Sequence, residues 1–244
     1  MTAPEAASSA STGSGRARTA RERARSELTR EIKEEARRQL ADAGANGLSL
    51  RAVARELGMV SSALYRYYPS RDELLTALII DAYDAIGSAA ERAAGRPAPS
   101  ARDRWVAACH AIRDWARSHP HEYALIYGSP VPGYRAPEAT IGPASRVPLA
   151  FSGLLARAVA DGELSLPPAL PPDDGLAAQA ALLTDALGLP GVPPDALVSA
   201  VIAWTQLFGM ISFELFGQFV GSFEPADALF ARAVVQLAAL AGLR

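Results

Sequence analysis

Residues 61–71 hold the densest set of groups in this 244-residue chain that could meet an anionic polymer. Tyr65 and Tyr67 offer hydroxyls, and Arg66 and Arg71 offer guanidinium forks that match phosphate geometry. Just ahead of them stand Ser61, Ser62 and Ala63, whose small side chains let a backbone come close to a base edge. Val60 precedes this run, and Ser49 and Arg51 lie upstream of it. The chemistry open to such a set is noncovalent: ion pairs and hydrogen bonds to phosphates, with base contacts from the small residues.

Covalent chemistry has weaker support. Cys109 is the only cysteine, so neither an internal disulfide nor a thiolate zinc site is expected. Cys109 and His110 are adjacent, which on a helix turns them about 100° apart and prevents a ready nucleophile–base pair. His119 and His121 flank Pro120 and do not share a helix face. The chain has no H-E-x-x-H metal helix, no G-x-S-x-G elbow and no phosphate-cradling glycine loop. No cofactor, no metal and no enzymatic activity are expected.

The elements that position these residues can be read from residues 49–74. Ser49 can cap a short helix in which Leu50, Val53, Ala54 and Leu57 share one face. Gly58 supplies the left-handed exit. A second short helix over roughly 60–67 turns Leu64 inward, with Tyr68 just beyond it, and Pro69 ends it. Ser70 and Glu73 form a capping box for the next helix. Helix, glycine turn, short helix is the helix-turn-helix pattern, although an ordinary helical corner shows the same outline. Upstream, Leu28, Ile32, Ala36, Leu40 and Ala43 recur at helical spacing and predict the helix that closes a three-helix core.

The run Leu50–Met59, the cluster Leu64–Tyr68 and the box Ser70–Leu74 together resemble the DNA-binding domain of the TetR family of transcriptional regulators, over about residues 28–75. The resemblance implies an all-α homodimer. Each subunit would have an N-terminal three-helix helix-turn-helix DNA-binding domain and a larger helical ligand-binding and dimerisation domain. It also implies phosphate contacts from Tyr65, Tyr67 and Arg71, base contacts near Ser61–Ala63, and core roles for Leu64 and Tyr68. Val60 stands where the family usually has a capping serine, so the recognition helix is expected to start at Ser61.

Charge is distributed to match. Residues 1–71 carry 13 Lys and Arg against 8 Asp and Glu, whereas the whole chain has a formal net charge of −2. A basic first third and an acidic remainder suit a protein that touches nucleic acid at one end. Residues 1–15 are mostly Ala, Ser, Thr and Gly and read as a disordered tail. The arm at residues 16–25 follows with five arginines, of which Arg16, Arg18 and Arg21 are expected to track phosphates or enter a minor groove. Thr19 and Glu22 match a capping box that could extend the first helix into the arm. The expected division is residues 1–25 as tail and arm, 26–72 as DNA-binding domain and 73–244 as ligand-binding and dimerisation domain.

Beyond residue 72 helical patterns alternate with Pro/Gly-rich breaks at 95–100, 129–143, 166–172 and 188–194; among them, a helix is expected from about 144 or 146 to 160. A helix over about 72–93 is expected to lead out of the DNA-binding domain as a lever. Trp105, Cys109, Trp115, Tyr123, Tyr127, Tyr134 and Phe151 supply aromatic walls with few polar tips, which suits an apolar or aromatic small-molecule effector. Two apolar terminal helices, near 195–219 and 225–241, predict a four-helix seam between two copies, with Trp204, Phe208, Ile211, Leu215, Phe230, Val234 and Leu237 at the interface. The apolar run 196–213 is only marginally long enough for a membrane span and reads as a buried helix. Residues 123–137 and 204–217 resemble the regulatory domain of a TetR subgroup named for a Trp-His-Gly motif, with Phe208 where that subgroup has histidine.

These features together predict a cytoplasmic, ligand-responsive repressor bound to a palindromic operator. Activation, or regulation without an effector, stays open.

Overall fold

The computed structural model describes residues 11–166 and 173–244, with side chains from residue 19 onward. Ten α-helices and two single 3-10 turns make up the described chain, with no strand among them. Contacts divide the chain between Leu78 and Ile79 into two compact units.

In the first unit, α1 runs Ser11–Ala43, well ahead of the expected start near Leu28. Residues 11–25, read above as tail and arm, are therefore helical. Ala, Arg and Glu are strong helix formers, and Arg30 bridges Glu27 and Glu34 one turn to either side. Residues 1–10 lie outside the described residues. α2 spans Leu50–Glu56 and α3 spans Ser61–Leu64. The Ser49 side chain accepts from Ala52 N at 3.4 Å, so the expected cap is present. Gly58 has φ 64°, which frees the chain to turn sharply between α2 and α3. Ser61 opens α3, as expected from the missing cap at Val60. Residues 65–67 continue as turns rather than as helix. Ile32, Ala36, Leu40, Val53, Leu64 and Leu74 are all but fully buried and form the core of this unit.

α4, Arg71–Ala94, opens with the Ser70 hydroxyl accepting from Glu73 N at 3.1 Å and continues past the division between the units.

The second unit adds α5 (Ala101–Ser118), α6 (Pro120–Tyr127), α7 (Ile141–Ala160), α8 (Asp174–Ala186), α9 (Pro194–Leu215) and α10 (Asp227–Leu240). α7 starts at Ile141, inside the Pro/Gly-rich stretch 129–143. Pro143 sits in its first turn, where the missing N–H has no partner to lose. The stripe Trp105, Cys109, Ile112 and Ala116 is buried as its spacing predicts. α9 is long and apolar enough to cross a membrane by length and composition, but Leu207, Phe208 and Ile211 pack into the core of this unit.

Candidate nucleic-acid interface and effector region

The helix-turn-helix stands on α1 and on the start of α4. α2 and α3 pack together across the Gly58 turn, and α1 packs on α2. This leaves the residues read as donors on the surface of α3 and the turns after it. Ser62, Arg66 and Arg51 are exposed, Ser61, Ala63, Tyr67 and Ser49 are half-buried, and Tyr65 keeps 42% of its surface. Val60 is exposed at the mouth of α3. Beneath them Leu64 and Tyr68 are buried, in the core roles the sequence implies.

Two details of this surface were not visible in the sequence. The guanidinium of Arg25 lies 5.6 Å from the Tyr67 ring centroid, within the range in which a cation is drawn to an aromatic face. The basic stretch of α1 therefore reaches the α3 corner. Arg21 is exposed on the same helix, while the side chains of Arg16 and Arg18 lie outside the described residues.

Arg71 is the second detail, because its guanidinium also bonds within this unit. Its Nε donates to Leu48 O at 3.2 Å, one terminal nitrogen donates to Ala45 O at 2.7 Å, and the other meets Asp72 at 3.3 Å. The side chain keeps 32% of its surface. Ala45 O already accepts from Leu48 N at 3.4 Å in the 3-10 turn after α1, and the charged donor adds a second, shorter bond to it. Arg71 braces the corner between α1 and α2, with three of its five N–H groups engaged.

The seven aromatic and thiol positions read as pocket walls mostly pack on one another. Trp105, Cys109, Tyr123 and Phe151 are buried, while Trp115, Tyr127 and Tyr134 are half-buried. The Trp105 and Phe151 ring centroids are 4.5 Å apart, and those of Tyr127 and Phe208 are 4.3 Å apart. Tyr123 donates its hydroxyl to Phe208 O at 3.1 Å and shares a 2.9 Å bond with Ser212 Oγ. Burial pushes the Tyr123 hydroxyl up to about 12 and holds the Cys109 thiol well above its ordinary value, so Cys109 stays protonated and inert. Trp115 stacks on His119 at 5.2 Å. Phe151 also lines a shallow cleft of about 40 Å³ with Trp204 of α9. Both Trp105 and Trp204 bury an indole N–H that has no acceptor among the described residues.

The apolar face of α9 and α10 is divided differently from the expected seam. Phe208, Ile211, Phe230, Val234 and Leu237 are buried inside the subunit, and Trp204 and Leu215 are half-buried against the same core. These five buried side chains cannot be presented to a second copy. The apolar groups the two helices leave outward are Val201, Ile202 and Phe213 on α9, with Phe213 keeping 53% of its surface, and Val235 on α10. A helix apolar on all sides gives no sequence signal for which side faces its own subunit.

Charged clasps bind this unit, and the periodicity gave no sign of them. Arg146 of α7 grips one face of α4. It donates to both Glu91 carboxylate oxygens at 2.8 and 2.6 Å, to Ser88 Oγ at 2.8 Å, and to the Asp84 carboxylate and carbonyl at 2.8 and 3.0 Å. Arg113 of α5 is almost fully buried. It forks onto Glu214 of α9 with two 2.7 Å bonds and reaches Asp227 of α10 at 3.0 Å, with its guanidinium 4.7 Å from the Phe230 ring centroid.

A three-helix unit with an exposed recognition helix, followed by a larger all-helical unit, defines a helix-turn-helix transcriptional regulator. Residues 32–78 match the model for bacterial regulatory proteins, tetR family, and residues 105–237 match that for the tetracyclin repressor-like C-terminal domain. The HTH-type transcriptional regulator Rv1816 of Mycobacterium tuberculosis H37Rv is 44% identical over 199 residues, covering 80% of this chain and 84% of that one. Among solved structures, regulatory protein SCO4313 matches with TM-score 0.70 and 35% identity, over 88% of this chain and 97% of that one. A TetR family transcription regulator from Marinobacter aquaeolei VT8 shares the fold at TM-score 0.56 and 18% identity, over 88% and 97% of the two chains. The chain belongs to the TetR family of transcriptional regulators.

Proposed function

We propose that the protein is a homodimeric, cytoplasmic repressor that leaves a palindromic operator when an apolar or aromatic small molecule binds its second unit. The observation that carries this reading is the surface of α3 and its following turn, where Ser62, Tyr65 and Arg66 are exposed and Ser61, Ala63 and Tyr67 half-buried, held over a buried Leu64 and Tyr68. Two such helices on a two-fold axis would read half-sites about 34–36 Å apart or a multiple of that. The outward apolar groups of α9 and α10 supply the pairing surface. α4 links operator and effector, because one continuous helix contributes to the first unit and carries the Arg146 clasp in the second.

The effector enters the region of α5 and α7 to which Trp105 and Phe151 belong. Trp204–Gly209 resembles the Trp-His-Gly subgroup with phenylalanine at the histidine position, and Phe208 packs there on Tyr127 in place of a polar imidazole. By linkage, effector and operator each weaken the other by the same factor.

A reporter gene with the selected operator placed over its promoter tests the sign of regulation. Repression predicts expression that rises when the operator is scrambled. Expression that falls on scrambling would make the protein an activator.

A further inference from the structure

Beside the packed aromatic core, α4, α5 and α7 enclose an open cleft of about 260 Å³. Glu91 and Ala94 of α4 form one wall, Arg104 of α5 another, and Leu149, Gly153 and Leu154 of α7 the apolar floor. Leu149 leaves 48% of its surface open although it is a large hydrophobic side chain. Arg157 also lines the cleft, and it reaches Asp161 at 3.5 Å.

Two features distinguish this cleft from a gap left by packing. Gly153 lies inside α7, where glycine weakens a helix relative to alanine. A Cβ built there meets nothing within 4 Å, so close packing does not require the glycine, and what it contributes is open space over the cleft. Arg104 is only 4% exposed. One terminal nitrogen reaches Glu163 at 3.2 Å and Asp161 at 3.6 Å, but its buried Nε–H has no acceptor among the described residues. A buried guanidinium N–H gains most from an anionic oxygen.

We propose that this cleft binds a monocarboxylate carried on an apolar chain or ring, with the carboxylate held by Arg104 and Arg157 and the apolar part on Leu149 and Leu154. At the ~30 Å³ that a water molecule occupies in the liquid, the cleft's volume equals that of about nine waters, room for a short acyl chain or a single ring. Glu91, Asp161 and Glu163 stand around the arginines, and their charge disfavours a doubly charged head such as a phosphate monoester. The proposal rests on the effector reading above and deepens it. Glu91 belongs to both the cleft and the Arg146 clasp, so an occupant bears directly on α4.

The test is titration calorimetry of the full chain with octanoate and with octanamide, which has nearly the same shape without the charge. Octanoate is expected to bind about tenfold tighter than octanamide, in keeping with a charge-assisted bond. Gly153→Leu fills the cleft without displacing backbone. It is expected to melt no lower than the natural chain and to lose octanoate binding. Arg157→Gln is expected to narrow the preference for octanoate over octanamide. Equal affinity for the two probes, no octanoate binding, or unchanged octanoate binding in a folded Gly153→Leu overturns the site. Operator affinity with and without octanoate is measured separately on the same protein. An unchanged value there contradicts the effector role and leaves the carboxylate site standing.

Discussion

Gly87 of α4 lies directly against Arg146 of α7: a Cβ on Gly87 would lie 2.6 Å from the Cβ of Arg146. That atom is the root of a side chain held by bonds to Asp84, Ser88 and Glu91, so it cannot swing aside. Gly87→Ala gains about 1 kcal/mol of helix propensity but forces the helices apart, at a cost of about 1–3 kcal/mol. The net expectation is a melting temperature lower by several degrees. Gly153→Ala is the control, because its Cβ meets nothing. It should stabilise by roughly 0.5–1 kcal/mol. Thermal melts of the two variants check the pair, and a stabilised Gly87→Ala would refute the close approach.

Arg71 and Tyr65 should separate stability from binding. Arg71→Ala leaves the Ala45 and Leu48 carbonyls without their charged donor, which should cost about 1–3 kcal/mol in denaturant unfolding. Tyr65→Phe should leave stability unchanged and weaken binding to every DNA sequence.

Arg51→Ala and Arg66→Ala, each removing an exposed cation, should lower the slope of log affinity against log salt by about one unit. Ser62 and Ala63 variants should change which sequence is preferred. Salt titrations on a fixed operator, and selection with each variant, separate the two classes. An unchanged preference in both Ser62 and Ala63 variants would remove α3 from base recognition.

Acid should loosen the α5–α9–α10 clasp. The Arg113 guanidinium hydrogen-bonded to Asp227 holds that carboxyl below its ordinary value of 3.8. A folded value below the unfolded one means that the unfolded chain binds more protons as pH drops. The contribution is therefore complete above about pH 4 and is lost as pH falls through the folded value. Glu91, hydrogen-bonded to Arg146, is held below its ordinary 4.5 and behaves in the same direction. Denaturant unfolding from pH 6 to pH 3 should show stability falling below about pH 4.5, with a shallower fall in Asp227→Asn.

The sequence showed most clearly what depends on local spacing. Ser49, Gly58, Leu64 and the Ser70–Glu73 box set the helix-turn-helix because a cap, a positive-φ turn and a buried leucine each act within a few residues. The Trp105–Ala116 stripe was legible for the same reason. The Arg71 bonds were not legible because their acceptors, Ala45 and Leu48, lie more than twenty residues upstream, and an arginine beside a recognition helix carries no mark of which partner it takes. The inward burial of Phe208 and Phe230 was not legible because their helices are apolar on every side, so only tertiary packing decides which side turns inward. The clefts and clasps built by Arg104, Arg113 and Arg146 depend on pairs 55 or more residues apart and leave no periodic trace.

The proposed function turns on sequence-specific reading of DNA by a two-fold dimer. Selection from a pool of random duplex DNA at two salt concentrations, with sequencing of the bound fraction, tests it most directly. Enrichment of one palindrome whose half-sites lie about one helical turn or a multiple apart, surviving at the higher salt, is expected. Recovery of DNA with no enriched sequence, lost as salt rises, would leave only a basic helix bound to phosphates and would contradict it.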